Sequence, residues 1–292
     1  MNLRMAGWEG RRRIPPRQRS FRTIALLTLI PIAGLLAVLI WSFVAQTMLV
    51  RRWPSAVSRP AQPRRTADGE RRTRGKIVLI LDDVGFDRQP IAAAMRIDPN
   101  INFSVLPNAS RAIEDANLLH DHGFEVLCHL PMEPEQFPRV SPGTGAVLTS
   151  MSDEEIARTT TASLQAVPYA RGMNNHMGSR ATADRRVMES VLAALPDGMY
   201  FIDSRTTGSS VAAAVARERR VRTASRNVFL DDVQSESAVR QQLRELARDA
   251  EAHGVAVGIG HMYPATVRVL TSDVPLLRRE GFRFVRASEA VR

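Results

Sequence analysis

From residue 76 onward the chain alternates short apolar runs with longer stretches in which apolar residues recur at helical spacing. The runs Lys76–Leu81, Ile101–Leu106, Phe124–Cys128, Met199–Ile202, Val228–Leu230 and Val255–Ile259 are apolar at nearly every position, as strands buried on both faces are. Between them the spacing predicts helices over 88–97, 110–122, 152–167, 183–195, 209–219, 235–253 and 266–279. Ser152-Asp-Glu-Glu155 reads as a capping box that opens one of these. A less regular strand over 170–174 completes roughly seven or eight βα units, which predicts a barrel-like α/β fold with a doubly wound open sheet as the competing arrangement.

The first 75 residues follow a different pattern. Residues 24–50 carry no charge at all, and as a helix they would be about 40 Å long, enough to span a bilayer with some tilt. The stretch is too long for the apolar part of a cleaved signal peptide, and Phe43-Val-Ala-Gln46 is a poor cleavage site, so a permanent anchor is expected. Arginines flank it on both sides, nearly in balance. A short first tail (1–23) and a long following domain favour an N-inside anchor in the cytoplasmic membrane, with the rest of the chain outside. Residues 51–75, rich in Arg and Pro, read as a solvated linker, and 76–292 as the folded domain.

Charge narrows the choice of partner. The formal net charge is +10, but residues 1–75 hold 15 arginines against three acids, while 76–292 hold 25 basic and 27 acidic residues. The folded part is therefore not basic, and nucleic acid is excluded as the expected partner. A lone cysteine, Cys128, excludes an intramolecular disulfide and an all-cysteine zinc site.

Several chemistries are missing. Lys76 is the single lysine and follows no glycine-rich loop, so there is no P-loop; Gly258-Ile-Gly260 is not completed to a dinucleotide fingerprint, and no G-x-S-x-G elbow occurs. What remains are polar residues just after the apolar runs: Asp82-Asp83, His129 with Glu133, Asn174-Asn175-His176, Asp203-Ser204, Asp231-Asp232 and His261. In a parallel barrel these positions share the C-terminal face, where active sites form. Adjacent carboxylates that point in different directions would let one bind a cation while the other moves protons, although Asp82-Asp83 also fits a helix cap. His129 and Glu133 have the spacing of a two-ligand arrangement, or are a surface histidine and a solvated acid. Asn-Asn before His176 is also a plain turn signal, and His261 could be a satisfied core histidine. His120, His122 and His253 lie near helix ends, where the dipole accounts for them.

Taken together, Leu81-Asp-Asp-Val-Gly85, His129-Leu-Pro-Met-Glu-Pro134, Gly172-Met-Asn-Asn-His-Met-Gly-Ser179, Phe201-Ile-Asp-Ser204 and Gly260-His261 resemble the divergent, YibQ-like polysaccharide deacetylase family, a branch of the NodB-homology superfamily. The resemblance covers essentially 76–292. It implies a distorted (β/α)7 barrel and metal-dependent removal of N- or O-acetyl groups from an acetylated glycan. Carried over, Asp82 resembles the general base, Asp83 a metal ligand, His129 the first ligand histidine and His261 the proton donor to the leaving amine. Glu133 stands where the superfamily has its second ligand histidine. His176 is expected to supply the missing imidazole, with Glu133 as fallback, around a divalent ion, most simply zinc. Asp203 is expected to orient one of the reacting groups. Trp8, Trp41 and Trp53 all precede the domain, so 76–292 lacks the tryptophans on which sugars usually stack. That favours short or membrane-proximal glycans, or else a catalytically idle envelope protein that keeps the barrel as a scaffold.

Overall fold

The computed structural model describes residues 73–292. The expected anchor over 24–50 and its flanking segments lie outside the described residues, and among the described residues no helix is long and apolar enough to cross a membrane. The strands are β1 (Gly75–Val84), β2 (Asn102–Val105), β3 (Glu125–Met132), β4 (Gly172–Met177), β5 (Tyr200–Asp203), β6 (Arg222–Ser225), β7 (Val228–Phe229), β8 (Val255–His261) and β9 (Phe282–Phe284). The helices are α1 (Ile91–Ala94), α2 (Ala112–Asp121), α3 (Asp153–Ala166), α4 (Arg185–Ala193), α5 (Ala212–Glu218), α6 (Glu236–His253) and α7 (Pro264–Arg279). The capping box at α3 forms as expected: Ser152 Oγ accepts from the Glu155 N–H, and the Glu155 carboxylate accepts from the Ser152 N–H.

All the strand pairs are parallel, in the order β6-β5-β4-β3-β2-β1-β8-β7, with β9 laid against the first residues of β1. Strand periodicity sends alternate residues of β1 into two separate cores. Ile77, Leu79 and Leu81 join Leu119, Ile156, Val191, Leu246 and Leu270 of the surrounding helices. Val78 and Ile80 instead meet Leu127, Tyr200, Ile202, Val257 and Ile259 from the other strands. This second core takes no residue from α1–α7, which decides between the two expected arrangements. A doubly wound sheet would carry helices on both faces, whereas here the sheet curls around its own side chains. Each fully buried Ile or Leu contributes roughly 1.5–3 kcal/mol.

The two outermost strands of the sheet, β6 and β7, are separated in the chain by Arg226 and Asn227 alone, and among the described residues no ladder joins them. The barrel is therefore open along one seam, which the chain itself crosses. The bottom is closed by residues 285–292. Val285, Ala287 and Val291 enter the inner core, the Ala287 N–H donates to Asn102 Oδ1 (2.9 Å), and Tyr200 Oη and the Ser288 N–H both donate to Glu125 (2.7 and 2.8 Å). The opposite, C-terminal end of the strands stays open to carry the site.

Candidate metal centre

Register assembles the site. The β1–β8 ladder sets Asp82 opposite His261, and the β3–β4 ladder sets His129 opposite Asn174 and Pro131 opposite His176. His176 thus belongs to a strand, not to the turn that Asn174-Asn175 suggested. An ordinary strand would send Asp82 and Asp83 to opposite faces, as expected from the sequence. The structure shows otherwise. The β1–β2 register slips between Leu81 and Val84, and Asp83 takes a left-handed backbone with φ 58°. Both carboxylates therefore reach one imidazole: Asp82 Oδ2 lies 3.5 Å and Asp83 Oδ1 3.3 Å from His129 Nε2. The left-handed conformation costs roughly 1–2 kcal/mol, and Gln89 holds it. Its Nε2 donates to the Asp83 carbonyl (2.7 Å), and its Oε1 accepts from the N–H groups of Gly85 and Phe86 (2.9 and 3.0 Å). Gly85 follows with φ 124°, which a side chain would rarely tolerate.

Asp83 Oδ1, His129 Nε2 and His176 Nδ1 lie within 4.8 Å of one another. Among the described residues, Asp83 Oδ1 is the one buried side-chain polar atom without a hydrogen-bond partner. His176 Nδ1 is 2.9 Å from it, yet the approach lies off the hydrogen-bonding directions. One carboxylate oxygen and two imidazole nitrogens converging on a common point, with a lone pair left unpaired, fit a divalent cation. Burial opposes ionisation of Asp83, but the two adjacent imidazoles outweigh it and hold the carboxyl far below the usual range.

Asn174 sets the orientation of this group. It is fully buried, and its Oδ1 accepts from His129 Nδ1–H (2.8 Å) and from the Ser104 hydroxyl (2.5 Å). Its amide nitrogen donates to Asp82 Oδ1 (2.9 Å) and to Ser204 Oγ (3.3 Å). With Asn174 Oδ1 holding a proton on His129 Nδ1, Nε2 is the nitrogen left to bind a cation beside Asp83. Asp82 is itself buried, and loss of water pushes its pKa up against the pull of His129, His261 and Asn174.

His261 is fixed from the other side. Its Nδ1–H donates to Asp231 Oδ1 (3.0 Å), while Asp231 Oδ2 accepts from the His261 N–H (2.6 Å) and from Thr266 Oγ1 (2.8 Å). A Cβ on Gly260 would sit 3.1 Å from that same Oδ2, so glycine leaves room for the carboxylate. Burial disfavours the charged ring, but the hydrogen bond and charge of Asp231, with Asp82 and Asp83, lift the pKa of His261 to about 9. Nε2 points back to the cluster, 3.5 Å from Asp83 Oδ2. The sequence displayed Asp231 at a strand end but gave it no role, and it showed Asn174 only as a turn signal.

Two expected residues lie elsewhere. Asp203 ends β5 on the correct face, but its carboxylate is spent on the loop that follows, accepting from the Arg205 N–H (2.8 Å) and Ser210 Oγ (2.9 Å). It touches neither histidine of the cluster nor His261, whereas Asn174 bonds His129 and Asp231 bonds His261. Glu133, the fallback ligand, is buried and accepts from Thr149 N–H and Oγ1 (2.6 and 2.8 Å) and from Arg180 (2.8 Å), so it serves as a structural tie. The cluster opens into a cavity of about 460 Å³ that Asp82, His129, His261, Thr206 and Arg226 help to line.

A family model described as divergent polysaccharide deacetylase matches residues 79–291. The uncharacterized protein YibQ of Escherichia coli K12 is 38% identical over 201 residues, which are 68% of this chain and 62% of that protein. This stretch is less than two thirds of YibQ. An uncharacterized protein of Haemophilus influenzae is 34% identical over 202 residues, 69% of this chain and 71% of that one. Among solved structures, an uncharacterized protein from Agrobacterium tumefaciens C58 aligns with a TM-score of 0.71 at 19% identity, over 74% of this chain and 89% of its own, and so has the same fold.

Proposed function

We propose, because this chain belongs to the divergent polysaccharide deacetylase family, that it hydrolyses N- or O-linked acetyl groups of a glycan with a divalent ion held by Asp83, His129 and His176. The observation that carries this reading is the unpaired, buried Oδ1 of Asp83 facing two imidazoles. Two histidines and one carboxylate suit zinc. Such an ion, when bound, would polarise the acyl carbonyl and acidify water near neutral pH. The protein's own groups then divide the proton work. Asp82 is buried beside the cluster with a raised proton affinity, and it takes the proton from water as the acyl carbon is attacked. His261, whose proton affinity Asp231 raises, gives its proton to the departing nitrogen or oxygen, with Asp231 holding the ring in line. Asn174 ties base and ligand together by bonding Asp82 and His129 at once. The proposal extends to location: with 24–50 as an N-inside anchor of the cytoplasmic membrane, the barrel meets envelope glycan outside it.

The test is metal content and acetate release by the full-length protein. About one ion per chain is expected, lost in the His129→Ala/His176→Ala double variant. Asp82→Asn should keep the ion while acetate release from acetylated amino-sugar oligomers falls by roughly 10²–10⁴. Equal metal content in wild type and double variant would sink the ligand set. Metal binding without acetate release from any amino sugar would favour the non-catalytic scaffold instead.

A further inference from the structure

Two cavities meet at the cluster, and their chemistry differs. The 460 Å³ cavity holds Asp82, His129 and His261 and is charged, with Arg205, Arg226 and Asp232 in its wall beside the apolar Phe229 and Ile259. A second cleft of about 340 Å³ shares with it Asp83 and His176, and includes neither Asp82 nor His261. The remainder of its lining is uncharged, with Phe86, Leu106, Ala109, Pro131 and Pro142 set beside the polar Asn108, Ser141 and Thr144. Beyond the two shared residues no charged side chain lines it. Its walls are tied together, since Asn108 Nδ2 donates to the Thr144 carbonyl (2.6 Å). Phe86 stands 48% exposed at this cleft, on the turn that Gln89 stitches behind Asp83.

The positions of base and acid decide which part of a substrate enters which cavity. In hydrolysis of an amide, a water oxygen bonds to the acyl carbon and the carbon–nitrogen bond breaks. One water proton passes to Asp82, and the leaving nitrogen takes a proton from His261. Water and leaving group must therefore both lie in the cavity that contains Asp82 and His261. The remaining substituent of the acyl carbon, its own carbon chain, points away from both, to the side bounded by Asp83 and His176. That side is the second cleft. A methyl group is about as large as a water molecule, roughly 30 Å³, far smaller than the space available.

We infer that this cleft is an acyl subsite and that the protein removes acyl groups several carbons longer than acetyl, with the sugar held in the larger, charged cavity. The inference rests on the proposed hydrolysis, so its test has one arm that needs no turnover. Full-length protein in lipid nanodiscs, loaded with zinc, is titrated calorimetrically with acetate, butyrate and hexanoate. Affinity should rise roughly fourfold per added methylene, the increment expected for burying each in an apolar site. Phe86→Ser, a change at an exposed position that the fold can absorb, should flatten that rise. Affinity that is level or falls from acetate to hexanoate would overturn the inference, as would an unchanged slope in Phe86→Ser. The second arm compares release of acetyl, butyryl and hexanoyl groups from N-acylated glucosamine oligomers, for which kcat/KM should increase with length. Release of acetate alone would overturn the acyl subsite and leave the deacetylase reading intact. No release of any acyl group from the zinc-loaded protein would overturn the hydrolase reading, and the assignment of the cleft to a substrate with it.

Discussion

Replacing Asn174 with aspartate keeps the shape of the side chain and removes its donor to Asp82, together with the longer bond to Ser204 Oγ. That donor, 2.9 Å from Asp82 Oδ1, is the one hydrogen bond this carboxylate receives among the described residues. A hydrogen bond to a charged group contributes about 1.5–3 kcal/mol, and 1.36 kcal/mol is a factor of ten in proton binding. Its loss should favour protonated Asp82 by roughly ten- to a hundredfold, and a second carboxylate in contact acts in the same direction. Burial already raises the proton affinity of Asp82, so the pH below which the base is protonated must move further up. Acetate release by Asn174→Asp should therefore fall at neutral pH and recover as the solution is made alkaline, with metal still bound because the introduced carboxylate can accept from His129 Nδ1–H as the amide oxygen does. The sign carries over to stability. A carboxyl whose folded-state pKa lies above its unfolded value supports the fold at low pH and loses that contribution as pH rises through the folded pKa. The melting temperature of the variant should thus drop more steeply than that of wild type as pH rises from 5 to 8. A pH–rate profile with an unmoved acid limb and wild-type rate at pH 6 would refute this account of Asp82.

Asp231→Asn should lower the proton affinity of His261 and move the alkaline limb of kcat/KM toward neutrality, read from the pH profile; an unchanged limb would remove His261 as the acid. Glu133→Ala should cost about 2–4 kcal/mol through the unpaired Thr149 donors, seen as a melting temperature lower by roughly 5–15 °C with metal stoichiometry intact. Loss of metal at an unchanged melting temperature would instead restore Glu133 as a ligand. Protease added to intact spheroplasts should cut within 51–75 and release the barrel, whereas protection until the membrane is broken would reverse the expected topology.

The six apolar runs each became a strand because buried parallel strands need unbroken apolar character, and that is visible in sequence. β6, Arg222-Thr-Ala-Ser225, and β9, Phe282-Arg-Phe284, escaped because each is short and carries an arginine. The face of the site was legible, since strand ends alone place Asp82, His129, His176 and His261 together. Side-chain direction was not. Asp203 occupies the same kind of position as Asp82, yet Ser210 and the Arg205 N–H turn its buried carboxylate to the loop that follows β5. The convergence of Asp82 and Asp83 depends on a left-handed residue held by Gln89, and an Asp-Asp pair read by strand alternation points to divergence. Asn174 and Asp231 act by touching residues distant in the chain, which no local pattern reports.

The pairing of Asp82 with His261 ties completion of the proposed site to the order in which the polypeptide is synthesised. β1 is made first, but it lies between β2 and β8, and its first residues also wait for β9. Until those late strands exist, one edge of the longest strand in the barrel stays open, a slow and aggregation-prone situation that long-range pairing imposes. The three proposed ligands, at 83, 129 and 176, are all synthesised well before His261. A nascent chain can thus complete its ligand set while the proton donor is still missing. On this reading, bound metal reports that the first half of the barrel has folded, and turnover reports that the last strands have closed it.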